Sequence, residues 1–191
     1  MAFLNPVAPA SAPEPVAQTY GRIQEMFGGD LPEMFLVYGN VESFLKDFYM
    51  NFKKFVYTSG ALDDKTRAII ALVVACHSKC PAWVQFFQAR AVALGWSQTE
   101  VAEAMAVAAT NYCYNTFFKF RDLSGSGLFE GMGVGLRAHT FHSVSLDQKL
   151  VELINIAVSD INACKPCTSG HVDKSRALGL TDDQILECIQ C

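Results

Sequence analysis

"LDQKLVELINIAVSDINACKPCTSGHVDKSRALGLTDDQI", residues 146–185, decides how the rest of the chain is read. A helical run after Asp147 breaks at Asn162-Ala163, and a second run stops at Leu178-Gly179, where glycine is the common terminator. The pattern occurs twice, because residues 62–105 align with 146–189 without a gap. Leu62/Leu146, Asp63/Asp147, Lys65/Lys149, Cys80/Cys164, Ala93/Ala177, Leu94/Leu178, Gly95/Gly179 and Glu103/Glu187 are identical pairs, with apolar matches such as Ile70/Ile154, Leu72/Ile156 and Val101/Ile185 between them. After the shared Leu-Gly, Ser97 or Thr181 caps a further helix, and Ser97-x-x-Glu100 has the form of a capping box. Two copies are too few for a solenoid, so the chain reads as a duplicated helical unit. Nothing in it shows the period-two alternation and hairpin turns of strands, and the fold class expected is all-α.

The copies differ where chemistry would sit. Opposite Cys167 stands Trp83, opposite His171 stands Phe87, and opposite Glu152 stands Ala68; only Cys164 has a counterpart, Cys80. The first copy builds the scaffold without the polar cluster, so the cluster is not there to build helices.

Outside the copies, residues 1–15 are rich in Pro and Ala and are expected to form an extended arm, loose or laid on a neighbouring subunit. Residues 16–191 are read as one all-α domain. Helical spacing runs over 16–27 to the stop at Gly28-Gly29. A second helix is expected after Asn40 as N-cap, carrying Phe44, Leu45, Phe48, Tyr49, Phe52 and Phe55 and ending near Ser59-Gly60. Helices over 62–78 and 82–94 follow, and residues 122–135, with five glycines, read as a connector between the halves. The aromatic stripes 44–55 and 112–120 are expected in the core or at a subunit interface.

Composition excludes several classes of function. In 191 residues, 51% apolar, there is material for a substantial core; the net charge of −4 with scattered Lys and Arg offers no footprint for nucleic acid or an anionic membrane. The start lacks the positive and apolar regions of a secretory signal, and no apolar run reaches the roughly 18 residues of a membrane span. Seven cysteines, an odd count set mostly in helical segments, suit a reducing cytoplasm better than a secreted disulfide framework.

The candidate site is Cys164-Lys-Pro-Cys167 with His171 and Glu152. Pro166 suits the first turn of a helix reaching about Leu178, which places the cysteines at a helix N-terminus, where peptide dipoles favour a thiolate. A thiol of pKa about 8.5 is only slightly ionised at neutral pH, and each unit of lowering takes about 1.4 kcal/mol; a helix end plus one basic neighbour can supply one to two units. His171, four residues beyond Cys167, shares its helix face. Glu152 would lie about 18 Å from Cys164 along one straight helix. If the chain folds as a hairpin at Asn162-Ala163, however, Glu152 comes opposite His171 and offers its carboxylate as part of a proton relay to the thiol.

Other readings stand beside this one. The C-x-x-C with His171 supplies three zinc ligands, and Cys188-x-x-Cys191 could supply a fourth. Cys164 and Cys167 could also be packed as core thiols. Cys188 and Cys191 are read as helix-face residues, Cys76, Cys80 and Cys113 as core, and the pair His139 and His142 as surface residues.

The spacing Glu152, eleven residues, Cys164-Lys-Pro-Cys167, three residues, His171 resembles the signature of the AhpD-like alkylhydroperoxidases of the carboxymuconolactone decarboxylase superfamily. "AVSDINACKPCTSGH", "RALGLTDDQI" and the connector "GLFEGMGVGLR" are similar to that family as well, and "FGGDLPEMF" resembles its lead-in. The resemblance implies an all-helical homo-oligomeric enzyme in which Cys164 and Cys167 cycle between dithiol and disulfide, with Glu152 and His171 as the relay. It implies a hydroperoxide as substrate and no cofactor beyond the cysteine pair. Reduction would come from an external dithiol, a lipoyl-bearing protein or a thioredoxin-like donor, with a peroxiredoxin as partner. One position departs: the founding members carry a second histidine before the second cysteine, where this chain has Pro166. Members with a further C-terminal helix extend past the position of Cys191. The same fold hosts decarboxylases, which do not need the vicinal cysteines, and a redox-sensing or zinc-bound oligomer without turnover is the remaining alternative.

Overall fold

The computed structural model describes residues 4–58 and 60–191, and among these every regular element is a helix. No described helix is long and apolar enough to cross a membrane. The chain divides into two compact units, Met1–Thr58 and Ser59–Cys191.

The first unit holds α1 (Glu14–Met26), α2 (Glu33–Tyr38) and α3 (Glu42–Phe52), the last running into a π-helical turn at Lys53–Tyr57. Val16, Tyr20, Ile23, Phe35, Leu45, Tyr49 and Phe52 are buried, and the rings of Phe27, Phe35 and Phe52 meet at tilted or edge-on angles. The described part of the expected arm, residues 4–15, is tied to this unit. Val7 N–H donates to Leu36 O, the Asn40 amide to Asn5 O, and the Tyr20 hydroxyl lies within hydrogen-bonding distance of Val7 O. The Tyr20 hydroxyl also crowds Gly39, so a side chain there would have to displace the tyrosine.

Two local expectations are corrected here. The N-cap of α3 is Val41, because the Asn40 side chain is spent on the carbonyls of Asn5 and Val37 and not on the helix. Helix α2 is not foreseen from the sequence, because its six residues, EMFLVY, are too few to display a period. The expected end at Ser59 lies outside the described residues.

The second unit holds α4 (Asp64–His77), α5 (Pro81–Ala93), α6 (Gln98–Ser124), α7 (Gln148–Ile161), α8 (Lys165–Ala177) and α9 (Asp182–Gln190). Helices α7 and α8 begin and end at the positions that the sequence alignment pairs with the ends of α4 and α5, and the start of α9 pairs with the start of α6. The turns repeat too. Lys79 and Ala163 both adopt a left-handed backbone, φ 54° and 52°, as do Gly95 and Gly179. Asp63 and Asp147 each accept from a first-turn N–H, and Ser97 and Thr181 each close a capping box, with Glu100 and Gln184.

Helices α4 and α7 form the centre. Residues 150–159 of α7 are all buried, and two core clusters draw on both copies: Ile69, Val73, Val151, Ile154 and Val158 in one, Ile70, Leu153, Ile156 and Ile185 in the other. The matched glutamates reciprocate. Glu103 accepts from the backbone and hydroxyl of Ser145, just before α7, while Glu187 accepts from the backbone of Ala61 and Leu62, just before α4. Each copy thereby ties down the entry to the other's central helix. Glu187 carries a second task, since Arg67 is fully buried and its guanidinium pairs with Glu187 at 2.7 Å and with Asp64.

Truncating Glu187 strands part of that buried charge, whereas Glu103 binds only neutral donors at the surface. Glu187→Ala is expected to cost about 3 kcal/mol or more in urea unfolding, the range for breaking a buried ion pair. Glu103→Ala is expected to cost about 1 kcal/mol. Equal losses would refute the assignment of Arg67's partner.

Candidate active site

Helices α7 and α8 make the hairpin that carries the site. The turn is closed by backbone hydrogen bonds from Asn162 N to Val158 O, Ala163 N to Asp160 O and Cys164 N to Ser159 O, with Ala163 taking the left-handed conformation that reverses the chain. Cys164 is the N-cap of α8 and Pro166 lies in its first turn, where a missing N–H costs nothing.

The turn brings together residues far apart in sequence. Glu152, on buried α7, meets His171, on α8, with Oε2 2.6 Å from Nδ1. Cys164 and Cys167 are joined by a disulfide, their Cα atoms 5.3 Å apart. Cys164 is fully buried and Cys167 is 9% exposed, so the second sulfur is the nearer to solvent. With Nδ1 engaged by Glu152, Nε2 is the nitrogen of His171 left to exchange a proton. The partly buried ring of Phe141, from the short 3-10 turn His139–Phe141, stands edge-on to His171 at 6.4 Å.

The other expected cysteines go elsewhere. Cys188 is buried, donates to Leu153 O and has its thiol pushed far up by burial; burial also pushes Cys191 up to about 12. Cys76 and Cys80 are half-buried, and Cys80 is the N-cap of α5. Cys113, expected in the core, is exposed, because Asn111 and Asn115 and not Cys113 face inward from α6. His139 and His142 are both exposed, and among the described residues no group of three or more His, Cys, Asp or Glu could hold a metal ion.

A buried polar network beside the site is absent from the sequence reading. Asn111 Nδ2 donates to Asn155 O and Ser159 Oγ; Asn115 Nδ2 donates to Asn111 Oδ1 and Ser159 Oγ. Asn162 Nδ2 donates to Asn115 Oδ1, and its Oδ1 lies 3.1 Å from His77 Nε2. This network joins α4, α6, α7 and the hairpin turn. Its signal is present in the chain: Glu152, Asn155 and Ser159 follow helical spacing, and their counterparts in the first copy are Ala68, Ala71 and Ala75, all buried. Asn155 stands apart within it, being fully buried with both Nδ2 and Oδ1 lacking a partner among the described residues. Each such group costs about 1–3 kcal/mol.

Accessibility and ionisation order the thiols. After reduction, iodoacetamide at pH 8 is expected to label Cys113 and Cys167 first, then Cys164. A thiol of pKa about 12 is ionised to roughly one part in ten thousand at that pH, so Cys191, and Cys188 above it, should resist until the protein unfolds. Peptide mapping that finds Cys188 labelled in the native protein before Cys167 would contradict this arrangement.

Known proteins resemble the chain in sequence and in fold. The model of the carboxymuconolactone decarboxylase family matches residues 45–119 and 132–190. Relatives named alkyl hydroperoxide reductase AhpD include one from Anaeromyxobacter sp. (strain K), 29% identical over 90 residues covering 47% of this chain and 48% of the relative. One from Mycobacteroides abscessus is 31% identical over 46% of this chain and 49% of its own length; another, from Anaeromyxobacter sp. (strain Fw109-5), is 24% identical over 71% and 72%. The chain thus spans about half the length of the first of these relatives. A crystal structure from Burkholderia xenovorans LB400, provisionally assigned as a gamma-carboxymuconolactone decarboxylase subunit, superposes with a TM-score of 0.61 at 16% identity, covering 94% of this chain and 90% of that one. At that identity the likeness is one of fold.

Proposed function

Because the chain belongs to the carboxymuconolactone decarboxylase family, we propose that it works as a dithiol–disulfide oxidoreductase that reduces hydroperoxides through Cys164 and Cys167. The observation that carries this reading is the 2.6 Å contact between Glu152 and His171 beside the Cys164–Cys167 pair. The other copy builds the same helices with Ala68, Phe87 and Trp83 in place of Glu152, His171 and Cys167. The AhpD-named relatives, similar over half their length, support the same class of chemistry.

In the reduced protein the N-terminus of α8 favours thiolate at both cysteines, and His171, four residues beyond Cys167 on the same helix, takes a thiol proton on Nε2 while Glu152 holds Nδ1. Cys167, the less buried sulfur, is assigned as the attacking group. Its thiolate displaces alkoxide from the peroxide: an S–O bond forms as the O–O bond breaks, and the alkoxide takes the proton held by His171. Cys164 then attacks the sulfenic sulfur, releasing water and forming the disulfide. An external dithiol of the lipoyl or thioredoxin type restores both thiols by exchange, itself becoming a disulfide. No cofactor enters the cycle. A homo-oligomer in the cytoplasm, with a peroxiredoxin partner, completes the proposal.

Consumption of an organic hydroperoxide, supported by dihydrolipoamide and separately by thioredoxin, tests the cycle. Cys164→Ser and Cys167→Ser should each abolish turnover. Glu152→Gln should keep the disulfide and lower turnover about a hundredfold, the usual worth of a positioned proton acceptor. Wild-type turnover in either serine variant, or no turnover with either donor, would overturn the reading; a disulfide that cycles without catalytic peroxide loss would mark a redox sensor instead.

A further inference from the structure

Asn155 carries a buried side-chain amide without a hydrogen-bond partner among the described residues. Its helical counterpart in the first copy is Ala71, buried in the same position on α4, so the scaffold accepts a small apolar residue there. Every other polar side chain of the network around it has a hydrogen bond: Asn111, Asn115, Ser159 and Asn162 satisfy one another or nearby carbonyls. Asn111 is bound to the backbone of Asn155 and not to its side chain, which leaves an amide donor and an amide acceptor inside the protein. Buried polar groups of this kind are usually met by ordered water. One turn before Asn155 on α7 lies Glu152, three residues away and therefore on the same face, with the two Cβ atoms about 5–6 Å apart. A separation of that size is one that a single water, hydrogen-bonded at both ends, can bridge.

We propose that Asn155 is a positioning residue whose amide holds a buried water against the Glu152 carboxylate. The water gives the carboxylate a second hydrogen bond besides that of His171 and fixes the plane in which Glu152 presents Oε2 to Nδ1. His171 is thereby kept in the orientation that leaves Nε2 for the thiol. Polar residues replace Ala68, Ala71 and Ala75 together in the second copy because they form one assembly: Glu152 binds the imidazole, Asn155 steadies Glu152, and Ser159 anchors the helix to Asn111 and Asn115. The inference deepens the proposed function, since it rests on Cys164 and Cys167 being a working dithiol.

Two measurements test it. A high-resolution crystal structure of the wild-type protein should show a water within hydrogen-bonding distance of both the Asn155 amide and the Glu152 carboxylate. Density excluding a water there overturns the proposal, whether or not any variant folds. The second measurement is the rate at which iodoacetamide alkylates Cys167 in the reduced protein. Asn155→Leu, which fills the space with apolar atoms, should slow alkylation roughly tenfold or more, the size expected for losing a hydrogen bond to a charged group. It should also lower kcat for peroxide with KM little changed. Asn155→Ser, which leaves room for the water and a hydroxyl to bind it, should stay close to wild type, a rescue that packing alone would not produce. Alkylation of Asn155→Leu at the wild-type rate, or an Asn155→Ser variant as slow as Asn155→Leu, overturns the assignment. Alkylation does not depend on peroxide, so a protein that follows this pattern yet consumes no peroxide would sink the proposed function and leave the role of Asn155 standing.

Discussion

A helix buried on every side cannot carry a carboxylate unless another element brings it a partner. Helix α7 is such a helix, enclosed from Leu150 to Ser159, with Glu152 within that stretch. An unpaired ion there would cost several kcal/mol, a requirement that α8 answers by folding back along α7 after Asn162-Ala163. The hydrogen bond from His171 meets it, and the same turn places Cys164 and Cys167 at the start of α8. Stability and candidate chemistry therefore share one contact.

The two copies solve the same packing problem with different charges. Buried Arg67 in α4 occupies the position that Val151 holds in α7, and its partner Glu187 comes from the opposite copy. In α7 the buried charge is Glu152, and its partner comes from the adjacent helix of the same copy. The arginine serves the clamp between the copies, whereas the glutamate faces the cysteines' hairpin. A duplicated scaffold can divide labour this way because the first copy tolerates alanine where the second carries a polar side chain, as Ala68 and Ala71 show against Glu152 and Asn155.

Much of the second unit was legible in the chain. The gapless match between the copies, the caps Ser97 and Thr181 and the stops Gly95 and Gly179 are local signals, set by backbone conformation and by the nearest few side chains. The hairpin count was enough to bring Glu152 opposite His171. Where local signals compete, the reading failed: Asn40 has the chemistry of an N-cap but is drawn to Asn5 and Val37, and Cys113 sits in an apolar stretch yet faces solvent because α6 turns its asparagines inward.

The sequence by itself determined which segments of the second unit are helical, that the unit is duplicated, and that one copy alone carries a C-x-x-C with a histidine on the same helix face. These follow from spacing, which is a property of the chain. Only the tertiary structure decided that Asn111 and Asn115, from the long helix α6, close over Asn155 and Ser159, that His77 reaches across from the first copy to Asn162, and that Asn155 is left with an unmatched amide. Amides at ordinary helical positions look alike in sequence, and which of them finds a partner depends on how the buried faces of separate helices are rotated against each other.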